Sequence, residues 1–337
     1  MPHGCQILQA RPGIVYACVV ERRAITAINQ SDAGTILLDW LVARFTYCSQ
    51  AAWEGFIASG ELTVNGRPCE AARILSPGDL VRFAPSAQEE PPVDQGYTII
   101  REDPDWLVVD KPPNLPCHPG GRFFMHTLWY LLRQDYGTVH FIGRLDRETS
   151  GLVLIARHPQ EARRLQHLQA ENRILKTYLV LVHGDFPPSL IAKGYLYPDA
   201  SSRARKKRRY IGIAADKDSG THMDALADDA APGAESCETR FSLVERSGGL
   251  SLVRASLITG RTHQIRATLC SLGFPVVGDK LYGLDEGFFL RFVEGTLSEA
   301  DRNRLILDHQ ALHAERLEFT DRTGELVRLE SPPHFSQ

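Results

Sequence analysis

Apolar positions recur at two spacings along this chain, and the switches between them mark out three pieces. In the first, Ile36, Leu37, Trp40 and Leu41 fall at intervals that put side chains on one face of a helix. Ser49 stands where an N-cap belongs ahead of a second helix carrying Ala52, Phe56 and Ile57, and Gly60 lies just past its end. Glu61 to Val64 then reads as a short strand closed by an Asn65-Gly66 turn. Pro77-Gly78-Asp79 is a further turn before the strand Leu80 to Phe83. Ser86 to Gln95 is polar, acidic and proline-bearing, which is the composition of a linker.

The second piece begins near Tyr97. Trp106 to Val109 is an unbroken apolar strand, ended by Lys111-Pro112-Pro113 because proline cannot donate to a ladder. Leu152 to Ala156 and Tyr178 to Val182 are short branched runs of the kind buried strands use. Thr127 to Tyr136 is expected as a helix, and Pro159 opens another that carries Ala162, Leu165 and Leu168. The third piece resumes near Thr239 with a strand from Leu250 to Ile258. A glycine turn and a helix follow, with Thr262 as the expected N-cap, Ile265, Leu269 and Leu272 on one face, and Gly273 as the stop. Strands and helices mix without strict βαβ alternation, so the expected class is α+β rather than a doubly wound sheet.

A chain of 337 residues has room for about two domains. Its formal net charge of -3 excludes a global electropositive field, so any nucleic-acid partner must be held by local patches. The patch that stands out is Arg203 to Arg209, with six positive charges in seven residues (Arg203, Arg205, Lys206, Lys207, Arg208, Arg209). Such a run binds phosphate by counterion release, or else it is a solvated loop. Asp216 to Glu235, rich in Ala, Asp and Gly, is expected as a mobile loop. Seven dispersed cysteines without a C-x-x-C pair suggest neither a disulfide framework nor a zinc site, and they fit a reducing cytosol. No apolar run approaches bilayer length, and Met1-Pro2-His3-Gly4-Cys5 lacks the basic start and apolar core of a signal peptide. A cytoplasmic protein is expected.

The candidate chemistry centres on Gly143 to Leu152. Asp146 sits there between Arg144 and Arg147, ahead of a Thr-Ser-Gly turn and a buried strand. Flanking cations favour the ionised carboxylate, which suits a nucleophile or an electrostatic stabiliser. The plainer alternative is a surface turn with a solvated ion pair. Thr259 to Arg266 reads as strand, glycine turn and helix start, where free amides and Arg261 suit a phosphate. Arg266, one turn in, could reach a carboxylate across a cleft. His263 titrates near neutrality and invites a catalytic reading, against that of a capping or hydrogen-bonding histidine. Tyr178 shares a strand face with Val180 and Val182. It is either a core tyrosine, an aromatic plate under a base, or a phenol within reach of a proton.

Taken together, these segments resemble the RluA-type pseudouridine synthases. Gly143-Arg144-Leu145-Asp146-Arg147-Glu148-Thr149-Ser150-Gly151 is similar to the family's active-site motif, and Lys176-Thr177-Tyr178 to its tyrosine motif. Gly260 to Arg266 is similar to its third motif and Pro275 to Gly283 to the segment that follows. Lys111-Pro112-Pro113 with His118-Pro119-Gly120 resembles the opening motif, and Leu312-His313-Ala314 with Leu317 the closing one. The resemblance covers roughly Tyr97 to Phe335, in order. Residues 33–85 are similar to the small RNA-binding domain named after protein four of the small ribosomal subunit. Two positions depart from the family's pattern: Gly143 and Thr268 stand where histidines are usual.

The resemblance implies an N-terminal extension over 1–32, a small α/β RNA-binding domain over 33–87 and a linker over 88–96. Residues 97–337 would then form a catalytic domain with a mainly antiparallel sheet and central cleft, interrupted by a basic, mobile insertion at about 200–237. It implies an isomerase that cuts the N1–C1′ bond of uridine, turns the base and rejoins it through C5, with no cofactor and no metal. Asp146 becomes the essential carboxylate, attacking C1′ or stabilising charge on the sugar. Arg266 becomes its partner, and Tyr178 the residue that stacks on uracil or helps move a proton. Arg144, Arg261, His263 and the basic run would hold RNA. The expected partner is RNA, ribosomal ahead of transfer, bound by a monomer. The two departures keep open a non-catalytic RNA-binding or ribosome-assembly protein on the same scaffold. A hydrolase using Asp146 with His263 lacks a nucleophile elbow, a metal-ligand cluster or a second carboxylate at a telling spacing.

Overall fold

The computed structural model describes residues 24–45, 48–85, 90–204, 206–213 and 233–335. The chain divides into two compact units, Met1–Glu89 and Glu90–Gln337.

The smaller unit contains β1 (Ala24–Ala27), α1 (Leu37–Arg44), α2 (Gln50–Ala58), β2 (Leu62–Val64), β3 (Arg67–Pro68) and β4 (Leu80–Phe83). The strands form a sheet in the order β1-β4-β2-β3. The hairpin β2–β3 turns on Asn65 and Gly66, both at positive φ (54° and 75°), which is what a two-residue hairpin loop requires. Ser49 caps α2 by accepting the Ala52 amide. Leu37, Leu41, Trp53, Ile57, Leu62 and Val64 make the core, where Trp53 meets Phe83 edge-on with ring centroids 5.1 Å apart.

The larger unit runs β5 (Thr98–Glu102), β6 (Trp106–Lys111), α3 (Leu128–Tyr136), β7 (His140–Phe141), β8 (Ser150–Ala156) and α4 (Pro159–Ala170). It continues β9 (Leu175–His183), β10 (Ser189–Pro198), β11 (Arg208–Gly212), β12 (Glu235–Ser247) and β13 (Leu250–Leu257). The last elements are α5 (Gln264–Ser271), α6 (Gly287–Glu294), α7 (Glu299–Leu305), β14 (Leu312–Thr320) and β15 (Leu326–Glu330). Among the described residues these strands join into one sheet, ordered β11-β10-β12-β13-β9-β14-β8-β6-β5, with β15 on β14 and β7 on β8. Every pairing is antiparallel except β8 with β14.

Side-chain alternation explains why β6 and β8 read as unbroken apolar runs. Trp106, Val108, Leu152, Leu154 and Ala156 face α4 through Ala162, Leu165 and Leu168. Leu107, Val109, Val153 and Ile155 point the other way, onto Leu128 and Leu132 of α3. Both faces are covered, so no polar alternation survives. Further along the sheet, Val180, Val182, Val253 and Ala255 pack under Ile265 and Leu269 of α5.

Three expectations need correction, and one falls on residues that are not described. Arg208 and Arg209, read as part of a charged loop, begin β11, whose pairing with β10 shapes the segment. Residues 214–232, the centre of the expected mobile loop, lie outside the described residues, as does Arg205. The helix after Gly260 is not one-faced: Gln264 to Leu269 are all buried, because α5 is wedged against the sheet. Residues 90–96 are not a free spacer, since buried Glu90 accepts the amides of Phe124, Met125 and His126 at 2.8–2.9 Å. Among the described residues, no helix is long and apolar enough to cross a membrane.

The two halves of the large sheet meet at a narrow parallel seam, His313 opposite Ser150 and Ala314 opposite Gly151. Gly151 has φ 106°, and a Cβ there would run into the Ala314 backbone. Gly151→Ala is therefore expected to cost more than about 2 kcal/mol, from strain and seam opening together. Urea unfolding monitored by tryptophan fluorescence would read this as a lowered midpoint.

Candidate active site

Asp146 lies in the loop between β7 and β8, and that loop is pinned from three sides. The Cys117 thiol sits 3.4 Å from both the amide and the carbonyl of Leu145. Fully buried Lys111 donates from Nζ to the carbonyls of Pro112 (2.8 Å) and Arg147 (3.1 Å). Burial lowers the Lys111 ammonium to about 8. Lys280 holds Glu148 at 2.9 Å, and the Arg147 guanidinium lies over the rings of Phe123 and Phe292. Fixed on both sides, Asp146 still has 34% of its side chain exposed, enough to meet a ligand.

Its partner comes from α5, whose start differs from the expected Thr262 cap. The residue before the helix is His263, in the left-handed region at φ 58°, with no capping hydrogen bond from its own side chain. Gln264 takes over: its Oε1 accepts from the Arg261 amide and Thr259 Oγ1, both at 2.9 Å. Its Nε2 donates to the Glu238 carbonyl and Thr239 Oγ1. This anchors the helix so that Arg266 points across the cleft.

Arg266 donates from Nη1 to Asp146 Oδ2 at 2.7 Å. Its Nε and Nη2 bind Asp279 Oδ2 and Oδ1 at 2.6 and 2.9 Å, a bidentate pair. Asp279 is fully buried and also accepts the amides of Leu281 and Tyr282. Burial opposes charge on all three groups, and their mutual attraction overcomes it. Both carboxyls are held below the usual carboxylate range and the guanidinium is pushed further up.

Asp146, Tyr178, Arg144, Arg261, His263 and Lys206, together with Arg266, line one cleft of about 720 Å³. Tyr178 is 7% exposed on β9, and burial, aided by the nearby Asp146 charge, raises its phenol. His263 places Nε2 3.7 Å from Asp146 Oδ1. The rest of the basic run does not converge here. Lys207 pairs with Glu286 at 2.6 Å and Arg208 with Glu235 at 3.4 Å, while Arg203 and Arg209 are exposed away from the cleft lining.

Sequence reading did not single out Asp279, Lys111, Cys117 or Gln264 as site residues. Each sat inside a quoted motif or next to one, which was the available signal. As for metals, Asp110, His313 and His334 bring ligand atoms within 4.8 Å of one another. Hydrogen bonds already engage them, with His313 between Ser150 Oγ and the Ser331 carbonyl, and His334 on Asp110.

Residues 105–271 match the family model described as RNA pseudouridylate synthase. The chain is 30% identical over 322 residues to Ribosomal large subunit pseudouridine synthase C of Escherichia coli strain K12, covering 91% of this chain and 92% of that one. It is 28% identical over 251 residues to the mitochondrial tRNA pseudouridine(32) synthase of Saccharomyces cerevisiae, covering 74% of this chain. The chain spans about half the length of that yeast relative (51%). Among solved structures it is similar in fold to Human RNA Pseudouridylate Synthase Domain Containing 1. That likeness has a TM-score of 0.55 at 23% identity, over 74% of this chain and 88% of that one.

The depressed carboxyls set a pH signature. A carboxyl whose folded pKa lies below its unfolded one stabilises the protein above the unfolded value, about 4, and loses that contribution as pH falls through the folded value. Asp279→Asn is expected to cost about 3–5 kcal/mol at neutral pH, since Arg266 loses a buried partner. It should also flatten the decline in stability between roughly pH 5 and pH 3, because one such carboxyl no longer titrates. Urea midpoints measured across that range would check both effects.

Proposed function

Because the chain belongs to the RNA pseudouridylate synthase family, we propose that its cleft isomerises uridines in structured RNA to pseudouridine. The observation that carries this reading is the line Asp146–Arg266–Asp279 at the wall of a cleft that Tyr178 also lines. Ionised Asp146 has one oxygen committed to Arg266, and the other, Oδ1, is available to the cleft. That oxygen either attacks C1′ as the N1–C1′ bond breaks, or faces the positive charge that builds on the sugar. In both cases the departing uracil carries the electron pair of the broken bond. It turns within the cleft and re-forms a bond to C1′ through C5, expelling the Asp146 carboxylate where that had bonded C1′; the C5 hydrogen then leaves as a proton and N1 takes one up. Nothing is oxidised or reduced, and no group is imported.

Tyr178 supplies an apolar wall on which a uracil can stack. With its phenol raised, it keeps its proton at neutral pH, so it offers a hydrogen-bond donor rather than a ready phenolate. About 720 Å³ lies within the usual range of ligand pockets, roughly 300–1,000 Å³, and leaves room for a nucleotide. The base must leave its stack, at a cost of a few kcal/mol. Contacts from Arg144, Arg261 and Lys206 to the RNA backbone offset this, and the small N-terminal unit is a second RNA grip in this reading. The Escherichia coli relative matched over nearly its whole length is named for the large ribosomal subunit, which favours ribosomal over transfer RNA.

Two outcomes are expected. Asp146→Asn should lower tritium release from C5-tritiated uridine in RNA by on the order of 10⁴-fold or more, with an unchanged circular dichroism spectrum. Near-normal turnover would remove Asp146 from the chemistry. Replacing Arg144, Arg261 and Lys206 with alanine should weaken RNA binding. The slope of log affinity against log salt should fall by roughly one for each phosphate contact removed.

A further inference from the structure

We propose that His263 is a positioning residue for Asp146, held in its Nε2–H tautomer by a hydrogen-bond chain that begins at the backbone amide of Arg208. The proposal rests on the reading of the cleft given above. It places an N–H beside the carboxylate's open oxygen and ties that group to the basic strand β11.

The argument follows the protons. A backbone amide can only donate, and Arg208 N–H donates to the Tyr282 hydroxyl at 2.8 Å. Tyr282 is 1% exposed and keeps its phenol proton, since burial pushes that group upward. With one lone pair engaged by Arg208, the phenol has a single proton left to place. His263 Nδ1 lies 2.9 Å away and, among the described residues, is the acceptor available to it. A neutral imidazole that accepts at Nδ1 carries its hydrogen on Nε2.

Nε2 is the atom facing Asp146, 3.7 Å from Oδ1. That is the oxygen Arg266 leaves alone, because Arg266 holds Oδ2. The groups around His263 are Asp146 and Asp279, which favour its charged form, and Arg266 and Lys206, which oppose it. Burial is the largest influence and decides the balance, keeping the ring below the ordinary histidine range and neutral near pH 7. Protonation would place a hydrogen on Nδ1 and break the chain at Tyr282.

The backbone supports the same reading. His263 occupies the left-handed region at φ 58°, where a residue other than glycine carries strain of about 1–3 kcal/mol. The Gln264 contacts hold it there. From that position the ring bridges Tyr282 and Asp146, with its plane nearly perpendicular to the tyrosine ring. Asp146 is thereby flanked by two groups from one turn of chain, a guanidinium bonded to one oxygen and a neutral N–H facing the other at 3.7 Å. Lys206, two residues before the anchoring amide, lines the same cleft. The docking of the basic segment and the aim of the carboxylate thus share one set of bonds.

The test uses the full-length chain. Long-range ¹⁵N–¹H correlation of the imidazoles at pH 7 should show His263 with a protonated Nε2 and a bare Nδ1. Tyr282→Phe, which keeps the ring and its packing, should lose that single tautomer. His263→Asn suits the left-handed backbone, but its amide reaches only as far as Nδ1, whereas His263→Gln can return a donor near Nε2. Single-turnover tritium release at saturating RNA should fall about ten- to a hundredfold in the Asn variant and recover in the Gln variant. An Nδ1–H tautomer or an imidazolium in the wild type would overturn the proposal, as would equal rates for the Asn and Gln variants. Loss of all turnover in the wild type would instead strike the functional reading, leaving the tautomer measurement standing.

Discussion

A single guanidinium shared by two carboxylates governs this cleft. Asp279 is saturated, with both oxygens on Arg266 and two backbone amides behind them. Asp146 receives one bond from the same arginine and keeps an oxygen open. The three charges sum to minus one, and the surplus falls on the less satisfied partner. Removing charges from water is expensive, and a well-packed apolar trio would often be as stable or more so. What the ionic trio provides is a carboxylate that stays ionised in a confined space and cannot rotate away. Asp279 is the fixed end of this device, Arg266 its arm, and Asp146 the carboxylate left with an open oxygen at the cleft.

The scaffold makes the device rigid by burying its supports while leaving Asp146 partly exposed. α5 is packed on nearly every side, so Arg266 inherits the position of a core element. Lys111, with no exposed surface, spends its ammonium on the Pro112 carbonyl beside it and on the Arg147 carbonyl just after Asp146. A buried lysine is tolerated there because it lies near Asp146 and Asp110, which counter the burial that drives its pKa down. The seam between β8 and β14 sets the distance between the Asp146 loop and Tyr178, since β14 pairs with β8 on one side and β9 on the other. Loops usually buy reach at the expense of precision. Here the loop is clamped by thiol, ammonium and guanidinium at successive residues.

Elements with a one-signal sequence were legible. β6, β8 and β9 declare themselves through apolar runs, and α2 through its serine cap. β12 did not stand out, because its buried positions Cys237, Thr239 and Phe241 alternate for only three steps and one of them is polar, while its second half is exposed. Asp146, Tyr178 and Arg266 could be proposed from local motifs and family resemblance, and they line one cleft. Asp279 could not be assigned a partner from its own neighbourhood. Its contact with Arg266 crosses 13 positions and a turn, and no periodicity encodes that. The Thr262 cap failed for a similar reason: Gln264 folds back on Arg261 and Thr259, a competition that a cap rule does not weigh. Gly143, a departure at sequence level, acquires a local reason. At φ 88° its missing Cβ leaves space that the Lys176 ammonium approaches, and any side chain would meet that Nζ at 2.7 Å.

The basic run shows why counting charges misleads. Six cations in seven residues suggest a strong phosphate trap in an otherwise acidic chain. Yet Lys207 is neutralised by Glu286, which Ser202 also contacts, and Arg208 by Glu235. Those two cations serve the fold by docking the segment that precedes β11. Lys206 alone among the described residues of the run lines the cleft, where it joins Arg144 and Arg261. With Arg147 and Arg266 also in its lining, the cleft draws its cations from three separate segments, not from one dense loop.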